Sequence, residues 1–168
     1  MKDVKNICGI LYSRSEDLEE AINLLEAFLG KIDYRSKAFD FDVTDYYENE
    51  MGPDLKRLFV SFEEVGYAGD MVRIKKKAIE MEKELSLKNS RTVNLDTGYL
   101  DFHKLVLAST KFNGPKIYIS DGMYADITLI YDNKKFFSPD RCFPDFKDGR
   151  YNELFKEIRN IYRRQIRI

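Results

Sequence analysis

The 168-residue chain has no tryptophan, one histidine, two cysteines and four prolines. Each scarcity removes a class of chemistry. His103 alone cannot build a His-rich metal centre, and any Ser/His or Cys/His nucleophile would have to use that single ring. Cys8 stands in an apolar, strand-like run and Cys142 in a loop, with no C-x-x-C pair. A disulfide framework and a Cys-rich zinc site are therefore not expected. Uncharged apolar stretches stay under ten residues, far short of the roughly 20 that a membrane helix needs. The opening MKDVKNICGILYSRSEDLEE returns to charge too soon to read as a signal peptide. Charge of one sign is missing as well. Lys and Arg number 28 against 29 Asp and Glu, whereas a domain that grips a polyanion in bulk is strongly basic. The expectation is a soluble, cytoplasmic α+β protein, one domain over residues 1–168, with neither membrane nor nucleic acid as partner. Its oligomeric state is left open.

What is present is apolar material, 43% of residues, with 11 tyrosines and 12 phenylalanines. Residues 6–12 (NICGILY) read as a central strand buried on both faces. A helix follows, with Ser13 and Ser15 as N-cap candidates, Leu18, Ile22, Leu25 and Leu29 on one face, and Gly30 as a left-handed C-cap. Phe39, Phe41 and Val43 alternate with Asp40 and Asp42, the pattern of a half-buried strand. Residues 55–63 give the next strand. A second helix from about Asp70 shows an apolar stripe of Met71, Ile74, Ala78, Met81 and Leu85, with Lys75 counted on a solvated lysine face. Residues 91–95 form a further strand. The order is β-α-β-β-α-β, the ferredoxin-like unit. A C-terminal extension of antiparallel strands follows at 104–109, 116–120, 123–131 and KKFFS, then a final helix from about 149 to 166. That helix ends basic, with Lys156, Arg159, Arg163, Arg164 and Arg167, which complements its dipole.

Four segments fit no packing pattern. FDFDVTDYYENEMGPD at 39–54 holds six acids, no base and two adjacent tyrosines. Asp45, Glu48 and Glu50 are its candidate oxygen ligands for Mg²⁺, a hard cation that favours carboxylates and water. NLDTGYL at 94–100 places Asn94, Asp96 and Tyr99 near a strand terminus. Ser109-Thr110-Lys111 ends a strand with an ammonium beside hydroxyls. SDGMYAD at 120–126 adds Tyr124 and Asp126, the latter on a polar stripe with Thr128. No GxxxxGK[ST] loop, GxGxxG, HExxH, GxSxG or RNA-recognition signature is present.

Taken together, FDFDVTDYYENEMG, LKRLFVSFE, RTVNLDTGYL, KLVLASTK and GMYADITL resemble, in order and length, the bacterial and archaeal family called domain of unknown function 4416. Thr97 stands where that family usually has proline, Asp126 where it often has glutamate, and RCFPD where a tryptophan is common. The resemblance implies little about activity, beyond a GTP-binding label that some members carry.

Two functions follow as expectations, and whether the chain is an enzyme is left open. One is a binding or catalytic site for a small anionic or nucleotide-like ligand, Mg-assisted where a metal takes part, zinc being disfavoured. Asp45, Glu50 and Asp96 are its candidate acid/base groups. Tyr46, Tyr47, Asn94, Tyr99, Lys111, Tyr124 and Asp126 are its candidate ligand contacts. The alternative is a non-catalytic module docking a basic protein through the acidic loop. In a strict ferredoxin-like order that loop and the exit of the 91–95 strand lie roughly 17 Å apart, at opposite ends of the sheet.

Overall fold

A computed structural model of the chain describes residues 3–166. In chain order the elements are β1 (Asp3–Tyr12), α1 (Ser15–Leu29), β2 (Ile32–Arg35), β3 (Phe39–Asp40), α2 (Glu48–Met51) and β4 (Lys56–Tyr67). Then come α3 (Met71–Glu84), β5 (Val93–Leu100), β6 (Lys104–Ser109), β7 (Ile117–Ser120), β8 (Met123–Asp132), β9 (Lys135–Phe137), α4 (Pro144–Lys147) and α5 (Asn152–Gln165). The nine strands form one sheet in the order β2-β4-β1-β5-β6-β8-β7, with β3 added to β4 and β9 to β8. Every pairing is antiparallel.

The apolar run of β1 explains its central place, since it is covered on both faces. On one face Cys8, Ile10, Val60, Phe62 and Leu95 pack against Leu18, Ile22 and Leu25 of α1 and Ile74, Ala78 and Met81 of α3. On the other, Ile7, Phe59, Leu105, Leu107 and Leu129 meet Phe146 of α4 and Leu154, Phe155 and Ile158 of α5. Gly9 keeps its place because the Phe59 ring lies where a side chain would be: a Cβ there would stand 2.8 Å from Phe59 Cε1. The first and last thirds of the chain are also tied by Lys5. Its ammonium is fully buried and donates to Asp33, to the Phe62 carbonyl and to Gln165 Oε1 at 2.7 Å.

Several sequence expectations give way to tertiary context. The alternation at 39–43 does not form a strand of that length; the strand lies earlier, at Ile32–Arg35, and only Phe39 and Asp40 pair with β4. Phe41 instead joins Leu11, Met51 and Leu55 in a small separate core under the loop. Neither Ser13 nor Ser15 caps α1 through its side chain; Arg14 takes the N-cap position and pairs with Asp17 at 3.3 Å. Gly30 closes that helix with φ 90° and ψ −178°, outside the left-handed helical region. NLDTGYL lies inside β5 and is no strand exit. In β8 the register against β6 slips between Leu129 and Ile127, and this bulge turns Asp126 and Thr128 inward while leaving Ile127 exposed. Arg167 of the basic tail lies outside the described residues. Among those described, no helix is long and apolar enough to cross a membrane.

Sheet β5-β6 pairing depends on a bare backbone at Gly98, opposite Leu107. A Cβ there would come within 2.0 Å of the Val106 carbonyl oxygen, and backbone cannot swing aside as a side chain can. Gly98→Ala is expected to cost at least about 2 kcal/mol, read as a lower urea midpoint at unchanged slope. A loss within about 0.5 kcal/mol, ordinary for a neutral surface site, would contradict this packing.

Candidate functional site

The register of β1 brings three distant segments to one end of the sheet. Tyr12, its last residue, pairs with Lys56 at the start of β4 and with Val93 at the start of β5. The acidic loop leads directly into β4, and β6, antiparallel to β5, ends at Ser109 beside the same end. The separation expected from the sequence does not arise. Because β5 begins at Val93, Asp96 sits three residues, roughly 10 Å, from its start.

Here the sheet splits. β5 and β6 pair only through Gly98–Leu107, Tyr99–Val106 and Leu100–Leu105. Beyond that seam residues 93–97 have no strand beside them on the β6 side. α3 supplies the missing partners. Lys75 Nζ donates to the Leu95 carbonyl at 2.7 Å, and the Leu95 N–H donates to Glu82 Oε1 at 2.6 Å. Both side chains are buried, and burial raises the Glu82 carboxyl above its ordinary range against the pull of Lys75. The gap between the strands is a cleft of about 270 Å³. Its walls are Lys75, Ile79 and Glu82 of α3, Arg91, Asn94 and Asp96, then Ala108 to Lys111, with Tyr46, Tyr47 and Phe143 around them.

Each wall is held from behind. Arg57, 3% exposed, reaches across β1 and donates to Asp96 and to Asp145 of α4, both at 2.9 Å. Tyr151 donates to the same Asp145 oxygen at 2.9 Å, and the guanidinium lies 4.9 Å from the Phe41 ring centre. Arg91 grips Glu50 with Nε and Nη2, each at 2.8 Å, and donates from Nη1 to Asn94 Oδ1 at 2.8 Å. Those bonds to Arg91 hold the Glu50 carboxyl below its usual range. Asn94 Nδ2 is buried without a partner. Tyr47 is pushed up to about 12, by burial first and the Asp96 charge second. Lys111 is different. Its ammonium rests 4.4 Å from the Tyr46 ring centre, and no carboxylate among the described residues stands within salt-bridge distance.

Of the residues expected to form a site, Tyr46, Tyr47, Asn94, Asp96 and Lys111 come together in this cleft. The others do not line it. Asp45 and Glu48 are exposed on the loop, and Glu50 is spent on Arg91. Asp45, Glu48 and Glu50 do not gather as oxygen ligands: among the described residues no group of three or more His, Cys, Asp or Glu could hold a metal ion. Tyr99 faces two other hollows, next to Met71 and next to Phe102. Tyr124 stacks edge-on with Tyr118, and Asp126 is buried 3.9 Å from Lys116. Asp96 is engaged by Arg57 at 2.9 Å.

Sequence reasoning passed over Arg57, Lys75, Glu82, Arg91 and Asp145. For three of them a signal existed. Lys75 and Glu82 fall within the same stripe as Met71, Ile74, Ala78 and Met81, so charge at those positions marked buried polar work. Arg57 alternates with Leu58 in a strand whose other face also carries Phe59, which hinted at burial on both sides. Nothing local singles out Arg91 or Asp145.

The model of the domain of unknown function DUF4416 matches residues 2–162, and the chain belongs to that family. No curated protein and no solved structure matches it.

Two expectations test the walls. Arg57→Met leaves Asp96 and Asp145 facing each other without a cation, and should cost about 3–5 kcal/mol in denaturant melts; a loss under about 1 kcal/mol would show the pair to be dispensable. Glu50 titrates lower folded than unfolded, so its contribution is present at neutral pH and fades as pH falls through its lowered folded value. The gap in melting temperature between wild type and Glu50→Gln should accordingly narrow on acidification. A gap that is constant with pH would contradict the Arg91 contact.

Proposed function

We propose, for this member of the DUF4416 family, that the cleft between β5 and β6 binds a small anionic ligand, with Lys111 as its main charge partner. The observation that carries the reading is Lys111 itself, a cation at the mouth of a cleft with only an aromatic face beneath it. The carboxylates of the walls are already engaged within the protein, Asp96 by Arg57 and Glu82 by the Leu95 N–H; Arg91 is held by Glu50, and the buried Lys75 donates to the Leu95 carbonyl. Ser109 and Thr110 add hydroxyls beside the ammonium, a set suited to an oxyanion. Tyr46 and Tyr47, at 4.9 Å between ring centres, close one side. The reading is of a binding site. A ferredoxin-like first half belongs to it, supported by the order β5-β1-β4-β2 with α1 and α3 packed on one face.

One observation favours a second reading. Asp45, Tyr46 and Glu48 are all exposed on the loop, Tyr46 by 63%, and a basic protein could dock there. Thermal denaturation with phosphate, sulfate, citrate and nucleotides, with and without Mg²⁺, separates the two. A bound anion at 100 times its dissociation constant adds about 2.7 kcal/mol, a readable rise for wild type that Lys111→Ala should lack and Asp45→Ala should keep. No shift with any anion, together with loss of a protein partner on Asp45→Ala and Glu48→Ala, would establish docking instead.

A further inference from the structure

Resting on that reading, we infer that the ligand is a short, two-ended acid: an oxyanion group at Ser109, Thr110 and Lys111, and a second oxygen acceptor at Lys75, in a molecule smaller than a nucleoside triphosphate. The cleft presents two ammonium groups from opposite walls, Lys75 from α3 and Lys111 from the end of β6. Lys75 has three donors, of which the Leu95 carbonyl takes one at 2.7 Å. No carboxylate among the described residues lies within salt-bridge distance of it. The inner end of the cleft therefore holds donor capacity on a side chain that is 7% exposed, where a charge-assisted bond is strongest for want of competing water.

The two ends differ in kind. Around Lys111 stand hydroxyls, and Ser109 Oγ, which already accepts the Lys111 N–H at 3.1 Å, keeps its own O–H to donate. Three such donors suit the several oxygens of a phosphoryl group. Around Lys75 stand Glu82 and Ile79, so that end offers a single ammonium donor, which suits one carboxylate or carbonyl oxygen better than a second phosphoryl group. Size supports the same class. Pockets for drug-sized ligands run about 300–1,000 Å³, and this one is about 270 Å³. The α3 residues that line it, Lys75 to Glu82, lie past the first turn of their helix, so no row of free backbone N–H groups cradles a polyphosphate.

The experiment is calorimetric titration of the full chain at fixed ionic strength with inorganic phosphate, phosphoglycolate and GTP. Phosphoglycolate should bind about tenfold tighter than phosphate, the gain from one charge-assisted hydrogen bond, and GTP no tighter than phosphate. Lys75→Met, which keeps the aliphatic stem, should erase the preference. Lys111→Met should lower both. Because Lys75→Met also frees the Leu95 carbonyl and can unfold the chain, the wild-type ratio alone decides. Equal affinity for phosphate and phosphoglycolate, or a preference for GTP, overturns the two-ended ligand while leaving an anion site. If none of the three binds, the anion site falls and this inference with it.

Discussion

Arg57 is a charge with nowhere to go but the protein. Its side chain starts on β4, passes β1 and ends between carboxylates of β5 and α4, with Tyr151 completing Asp145 from the turn before α5. Moving such a group out of water costs several kcal/mol unless every partner is in place. The sheet cannot close around Arg57 until β5 is in register, and the C-terminal segment cannot dock until Asp145 is positioned. Two positions 88 apart in sequence, Arg57 and Asp145, are thus fixed by one guanidinium. A buried ion pair adds little net stability compared with good apolar packing; what it contributes here is a single permitted arrangement of strand, strand and helix.

That arrangement makes the cleft. Sheets ordinarily leave no internal gap, because unpaired backbone in a core is costly. Lys75 and Glu82 remove the cost by acting as a stand-in strand: one donates to the Leu95 carbonyl, the other accepts from its N–H. With the edge satisfied in this way, β6 is free to part from β5 after three residue pairs. The same two side chains block another polypeptide from sliding in as an extra strand, so the opening is reserved for something that is not a strand.

How much of this was legible beforehand differs by length scale. Hydrophobic period located β1, α1, β4, α3 and the long β8, because each has a strong local pattern. It misjudged positions where a partner far along the chain decides. Phe41 and Val43 looked like strand residues and are loop residues, because Leu11, Met51 and Leu55 offered them a small core of their own. Asp126 reads as part of a polar stripe, and a bulge in β8 buries it. Five of the proposed site residues converge, and they share one property: each lies next to the sheet end that Tyr12 defines. Glu50 also sits near that end, but it spends its charge on Arg91, a pairing no spacing rule could reveal.

The ammonium of Lys5 has a consequence in time as well as in space. One of its three acceptors, Gln165, comes 160 residues later. On a ribosome adding about 5–20 residues each second, roughly ten seconds or more separate the two. Throughout that interval β1, the strand on which the whole sheet is laid, carries a cation whose burial is only partly compensated. Folding that begins at β1 therefore stays reversible until α5 has been made and Gln165 can reach Lys5.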